Sequence, residues 1–283
     1  MDKAIILGIY DFVSFHLCKT LLNKGIEVIG VHIDGPDNIP FLDEKRLEIG
    51  RNANFSEKSL SEWRECQLEE NTHEKTILFI SIYDLYVQSK ETILLHEAVP
   101  STINQYMKEN HHSKIVHMLP IQMVRSNDNE KIDAFLERAK EWAKNSQYFY
   151  LPAVYGPWQP PTFAFQQAIL AKFQKGVITQ TEREWTGDVL FVEDAIETVL
   201  DTIEARNPVN SSSYLLESGE NDYWRQCANY LQIEENVGSG NHYADLMPSS
   251  QQFHKVLVKR RTSIAESITK QLELVEWLEQ NNK

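Results

Sequence analysis

The side chains able to do chemistry lie in a few places along the chain. His111, His112 and His117 are close enough in sequence to suggest a metal site, but no carboxylate stands at ligand spacing, and a histidine pair in a loop before a strand reads as surface. Glu193 and Asp194 form a carboxylate pair of the kind that works as general acid and base. Their place just ahead of Ala195, Ile196, Val199, Leu200 and Ile203 assigns them instead to the first turn of a helix, whose dipole favours negative charge there. Cys18, Cys66 and Cys227 are far apart and outside any Cys-x-x-Cys pair, so they read as reduced, packed thiols rather than a disulfide framework or a zinc site. Asp11 stands directly ahead of Phe12, Val13, Phe15, Leu17, Leu21 and Leu22, where a carboxylate can cap the helix that those residues define.

These groups act only if secondary structure brings them together, and the hydrophobic pattern names the elements. Lys3-Ala-Ile-Ile-Leu-Gly8 is a short β-branched run, the helical spacing from Phe12 follows, and Gly25 closes that helix as a left-handed cap. Ile26-Glu-Val-Ile-Gly-Val-His-Ile33 resumes the extended pattern, so the chain opens with a βαβ unit. Further buried strands are predicted at Thr76 to Ser81, Lys114 to Met118, Tyr148 to Ala153 and Val189 to Val192, with amphipathic helices between them. That alternation makes a parallel sheet covered on both faces. Ile132, Phe135, Leu136, Ala139 and Ala143 mark one helix, and Ser263 with Glu266 form a capping box ahead of Ile264, Ile268, Leu272, Val275 and Leu278. Gly156-Pro-Trp-Gln-Pro-Pro161 is the best candidate for a subdomain boundary, while Asn207 to Ser213 and Glu234 to Asn241 read as loops.

Composition narrows the partners. Of 283 residues, 42% are hydrophobic and 24% charged, enough for the core of one or two domains and unlike a disordered chain. Twenty-eight Lys and Arg against 41 Asp and Glu give a net charge of −13, which repels phosphate backbones and removes nucleic acid from the expected partners. No apolar run approaches the ~20 residues of a membrane helix. Met1-Asp2-Lys3 runs straight into a strand without the stretches of a signal peptide, so a cytoplasmic protein is expected.

Five segments then occur in a telling order: Phe12 to Gly30, Val154-Tyr-Gly-Pro-Trp-Gln159, Gly187-Asp-Val-Leu-Phe-Val-Glu-Asp-Ala195, Tyr214-Leu-Leu-Glu-Ser-Gly219 and Thr262-Ser263. Together they resemble the extended short-chain dehydrogenase/reductase family, the NAD-dependent epimerases and dehydratases of nucleotide sugars, over nearly the whole chain. The resemblance implies a Rossmann-type doubly wound parallel sheet in residues 1–155 and a smaller C-terminal α/β substrate lobe in residues 156–283, with 188–206 packing back on the Rossmann core. It implies NAD(P) as cofactor, held where the amides of a Gly-x-x-Gly-x-x-Gly turn meet the pyrophosphate at a helix N-terminus.

Position by position, the chain departs from that pattern. The three glycine positions read Gly8, Asp11 and Ser14, with Tyr10 adding bulk to the turn and Phe12 opening the helix, and a carboxylate at position 11 sits against the amides a pyrophosphate needs. Where the family places the ribose-binding acid, this chain has His32, with Asp34 two residues on and on the same strand face. Arg51-Asn-Ala-Asn54, near the third strand, names no adenine contact. The family's Tyr-x-x-x-Lys pair, in which lysine depresses the tyrosine pKa, aligns with Asn127 and Lys131, and asparagine carries no proton for the reaction. The strand end that normally supplies a serine or threonine reads Met118-Leu-Pro-Ile121. The turn after the sixth strand brings Tyr155, Trp158 and Gln159 to the family's substrate cleft, as two aromatic faces and a polar handle or as packing at the joint between lobes.

These departures lead us to expect a nucleotide or nucleotide-sugar binding or regulatory protein that has lost redox catalysis and binds no metal. The alternatives are a working NAD(P)-dependent epimerase, dehydratase or reductase using another acid such as Tyr83 or Tyr155, and a purely structural partner protein. The family's pairing of two helices, here about Glu91 to Asn110 and Glu130 to Lys144, implies a homodimer, with Leu94, Leu95, Ile132, Phe135 and Leu136 as apolar surface.

Overall fold

The computed structural model describes residues 1–33, 39–66, 75–124, 129–142, 145–173, 183–205, 212–233, 253–259 and 262–281. The expected βαβ opening is present as β1 (Lys3–Leu7), α1 (Phe12–Asn23) and β2 (Glu27–His32). At the end of α1, Gly25 adopts φ +76°, which lets its own N–H reach Leu22 O at 3.0 Å and Ile26 N–H reach Leu21 O at 3.0 Å. Both orphan carbonyls of the last turn are thereby satisfied.

After α2 (Leu42–Ile49), β3 (Phe55–Ser59) and α3 (Leu60–Cys66), the chain crosses back to β4 (Thr76–Ser81) and the short α4 (Ile82–Val87). A 3-10 turn (Glu91–Leu95) and α5 (Ala98–Glu109) follow, so the helix expected from Glu91 is broken in two. Then come β5 (Lys114–Pro120), a second 3-10 turn (Ile121–Val124), α6 (Glu130–Trp142), β6 (Ser146–Leu151), β7 (Ala153–Tyr155) and α7 (Ala164–Phe173). The chain ends with β8 (Val189–Phe191), α8 (Val192–Ala205), β9 (Ser212–Glu217), α9 (Tyr223–Tyr230), β10 (His254–Leu257) and α10 (Ile264–Asn281).

Eight of these strands form one parallel sheet in the order β10-β9-β6-β5-β4-β1-β2-β3. The strand expected from Tyr148 to Ala153 is divided at Pro152, which has no N–H for the ladder. Its second part, β7, pairs with β8 in a separate two-stranded sheet. The central strands β1 and β4 are buried on both faces, as a doubly covered parallel sheet requires. One face packs against α1, α7, α8 and α10, the other against α3, α5 and α6. Strands β9 and β10, from beyond residue 155, complete the large sheet, and α8 lies against α1 with Lys24 and Glu197 3.0 Å apart. Leu94, Ile132 and Phe135 are wholly buried within the chain itself, which leaves half-exposed Leu95 and partly buried Leu136 as the apolar surface of that face. Beside them the face carries the exposed pair Arg138–Glu97.

Inside this core, His117 of β5 is fully buried, stacked on Tyr148 at 5.1 Å, and among the described residues neither ring nitrogen has a hydrogen-bond partner. Burial pushes its pKa down to about 3. An unfolded histidine titrates near ~6.5, so the unfolded chain binds the extra proton in the window between, and stability falls as pH drops through that range. His117→Phe should therefore raise stability by about 1–2 kcal/mol, with a larger gain near pH ~5 than near pH ~8, read by urea denaturation at both. No gain at either pH would mean that the imidazole nitrogens are satisfied in solution.

Candidate functional site

In an open parallel sheet ligands collect beyond the carboxyl ends of the strands, at the point where strand order reverses. Here that point lies between β1 and β4, and the turns that leave them meet there. Gly8 turns the chain out of β1 at φ +74°, and a Cβ on it would come within 2.6 Å of Asp11 Oδ2, so the Asp11 side chain lies folded over this glycine. Asp11 does not cap α1, as its position suggested; its Oδ1 accepts from Gln88 Nε2 at 3.3 Å. The cap comes from 71 residues away. Asp84 of α4 accepts from Val13 N at 3.0 and 3.1 Å and from Ser14 N at 3.2 Å.

Asp84 is 2% exposed and is itself held at the start of α4, where Ser81 Oγ accepts from its N–H. Burial and the neighbouring Asp11 carboxylate push its carboxyl up to about 7, against the pull of the amide bonds. Burial raises Asp11 as well, opposed by Lys45 and Lys90. Burial in turn lowers Lys45, on α2, to about 8, while the two aspartates pull it back up. The site is thus a low-dielectric cluster of two carboxylates and two ammonium groups around the α1 N-terminus.

The remaining cofactor-side residues are tied down as well. Tyr10 O accepts from Lys45 Nζ at 2.7 Å, and the Tyr10 hydroxyl donates to Glu57 Oε2 at 2.7 Å. Glu57 also takes the Arg46 guanidinium and lies 3.9 Å from His32 Nε2, so His32 at the end of β2 faces a carboxylate of the neighbouring strand. Phe12 is core, edge-on to His16 and Phe163, and Ser14 is fully buried. Asp34 and Asn127 lie outside the described residues. A cavity of about 1070 Å³ opens beside the turn, between Gly8 to Asp11, His32, Arg64, Lys90, His96 and α5.

Where the family's catalytic pair aligns, Lys131 is exposed at the start of α6. That helix is capped by Asn129, whose Oδ1 accepts from Lys131 N and Ile132 N at 3.2 Å each and whose Nδ2 donates to Glu91 Oε1 at 2.9 Å. Glu91, 2% exposed, also pairs with Arg183. Arg183 donates to Tyr86 O at 2.6 Å and lies 4.9 Å over the Tyr86 ring, and its own carbonyl accepts from Gln122 Nε2 at 3.0 Å. These bonds stitch residue 183 across α4, the 3-10 turns and α6.

The substitute acids named from the sequence are both engaged. The Tyr83 hydroxyl accepts from Val154 N at 2.9 Å, and the Tyr155 hydroxyl is 2.6 Å from Ser267 Oγ. Burial raises both phenols far above their ordinary value. Tyr155 is fully buried against Phe165 and Phe191, and so packs the joint between the small sheet and α10. Trp158, at φ +65°, donates Nε1 to Glu48 Oε2 at 3.0 Å, and Gln159 donates to Val154 O and accepts from Gln271. Glu193 pairs with Lys270, while Asp194 grips the N–H and hydroxyl of Thr262, so this pair secures the start of α10. Among the described residues no group of three His, Cys, Asp or Glu is placed to hold a metal, and no helix is long and apolar enough to cross a membrane.

Sequence reading missed Asp84, Lys45 and Glu57. A signal for Asp84 was present: Ser81-x-x-Asp84 has the form of a helix start, and an acid inside Ile82-Tyr-Asp-Leu-Tyr-Val87 must be paired if that apolar run is buried.

The fold is a Rossmann-type α/β sheet, and comparison with solved structures makes it more specific. UDP-glucuronic acid 4-epimerase from Bacillus cereus, in complex with UDP-glucuronic acid and NAD, matches with a TM-score of 0.67 and 15% identity, over 98% of this chain and 99% of that one. dTDP-glucose 4,6-dehydratase from Bacillus anthracis, in complex with NAD, matches with a TM-score of 0.67 and 9% identity, over 99% and 98%. UDP-glucose 4-epimerase from Thermotoga maritima, with UDP-glucose, matches at 0.63 and 14%, over 98% and 99%. No protein-family model and no curated protein matches the sequence. The chain has the fold of the extended short-chain dehydrogenase/reductase epimerases and dehydratases, as its motif order led us to expect.

Proposed function

We propose that this protein is a divergent member of that family which has given up redox catalysis and serves as a binding or regulatory protein for a nucleotide or nucleotide sugar, with the parts of residues 156–283 outside α8, β9 and β10 contributing the smaller lobe. One observation carries the reading: the amides of Val13 and Ser14, at the helix N-terminus where this fold receives a dinucleotide's pyrophosphate, already accommodate the Asp84 carboxylate. A dinucleotide does not fit the residues present. Its pyrophosphate would have to displace Asp84 and lie against Asp11, placing two or more negative charges beside two buried carboxyl groups. The loss of a proton-carrying tyrosine ahead of Lys131 supports the same reading. The large cavity beside the turn supports a ligand of nucleotide size, because pockets of ~300–1,000 Å³ hold molecules of that class.

The ligand carried through purification tests this. Protein isolated without additions, denatured and analysed by mass spectrometry should release no nicotinamide dinucleotide, and a released nucleotide or nucleotide sugar would identify the occupant. Stoichiometric NAD or NADP would return the protein to the working enzymes.

A further inference from the structure

A second, smaller cavity of about 100 Å³ lies on the other side of the Tyr10-Asp11 turn, between the start of α1, α2 and the far half of α10. Its walls are apolar where Phe12, Trp158, Leu274 and Leu278 face it, and polar at Lys45 and Gln166. Lys45 is 6% exposed and uses one N–H on Tyr10 O; its ammonium lies 5.7 Å from the centroids of both the Phe15 and Trp158 rings. Ring faces stabilise a cation but accept its N–H bonds poorly, so among the described residues its other two donors have no hydrogen-bond acceptor, while the Asp11, Asp84 and Glu48 carboxylates act on its charge. Gln166, 8% exposed, directs its oxygen to Gln271 Nε2 at 2.7 Å, and Gln271 is held in turn by Gln159 at 2.8 Å. This buried amide chain fixes the Gln166 side chain, and among the described residues its Nε2 has no acceptor.

Unused donors on a cation and an amide, set in an apolar enclosure, specify an acceptor-only anionic head on a short apolar body. The space equals about three water molecules at ~30 Å³ each, which admits roughly two to four carbons. Asp11 and Glu279 also line the cavity, beside Lys90 and Gln88, and Asp84 and Glu48 act on Lys45 as well, so only a single negative charge is tolerated, not the two of a phosphate. We propose that this cavity is a binding site for a small organic monocarboxylate, its carboxylate on Lys45 and Gln166 and its carbon chain between Phe12 and Trp158. The assignment is independent of what fills the large cavity.

The test titrates the full chain with acetate, propionate, pyruvate and butyrate by calorimetry, with acetamide and inorganic phosphate as controls. At least one monocarboxylate should bind with a Kd below ~1 mM, and acetamide, which has the shape of acetate without its charge, should bind at least roughly tenfold more weakly. Tryptophan fluorescence should change on binding in the native chain and much less in Trp158→Phe. Gln166→Glu, which places a second carboxylate against the ligand, should weaken binding by roughly tenfold or more, and Lys45→Met should abolish it. If Lys45→Met does not fold, Gln166→Glu and the acetamide control still decide. Equal binding of acetate and acetamide, binding unaffected by Gln166→Glu, response to phosphate alone, or no carboxylate bound by ~10 mM would each overturn the proposal.

Discussion

Asp84→Ala should lower the melting temperature by about 5–10 °C. The substitution strips the buried Val13 and Ser14 amides of their acceptor and leaves the first turn of α1 without a cap, since Asp11 points elsewhere. Losing a cap and orphaning buried donors together cost about 2–4 kcal/mol, which in a chain of this length corresponds to that temperature shift. Asp84→Asn keeps one acceptor oxygen and should lose less. The pair also gives a pH signature. An unfolded aspartate titrates near ~4, while Asp84 in the folded chain titrates at about 7. The folded state therefore holds the extra proton, so the stability due to this group is fully present below about pH 4 and is lost as pH rises through about 7. Relative to Asp84→Asn, the native protein should lose stability between pH ~5 and pH ~8 and change little above. A fall in melting temperature under ~2 °C for Asp84→Ala would show that these amides do not depend on it.

Arg183→Met should be comparably severe, at about 2–4 kcal/mol by chemical denaturation, because it leaves the Glu91 carboxyl, 2% exposed, held among the described residues only by Asn129. The arginine is one-third exposed, which is why the lower part of the range for broken buried pairs applies. Glu91→Gln combined with Arg183→Met should recover much of the loss, since the uncompensated charge goes while the amide can still meet Asn129. A double variant as unstable as Arg183→Met alone would place the effect in the Tyr86 contacts instead.

Local signals read well in the sequence and cross-chain ones did not. The β1–α1–β2 unit and its Gly25 cap were legible because periodicity and a left-handed glycine act within a few residues. So was α10, where Ser263 Oγ accepts from Glu266 N as the capping box predicts. The edge strands β3 and β10 were not read as strands because half-exposed, polar residues such as those of Phe55–Ser59 and His254–Leu257 carry little apolar pattern, and β9 was missed too, its first residues Ser212 and Ser213 having been assigned to a loop. The carboxylate at the α1 N-terminus was anticipated as a type of group, yet assigned to Asp11, because sequence shows the nearest acid and not one brought from the end of β4. Tyr155 read as a ligand face and as a packing residue with equal right; its burial against Phe165 and Phe191 and its bond to the Ser267 hydroxyl, 112 residues on, distinguish the two.

On the proposed function, the α1 N-terminus is held by Asp84 and is not offered to a dinucleotide. Titration calorimetry of the purified chain with NAD, NADH, NADP and NADPH tests it most directly. None of the four should bind saturably at ~100 μM, and affinity should rise in Asp11→Gly with Ser14→Gly only once Asp84 is also replaced. A micromolar Kd for any of the four with the native chain would contradict it.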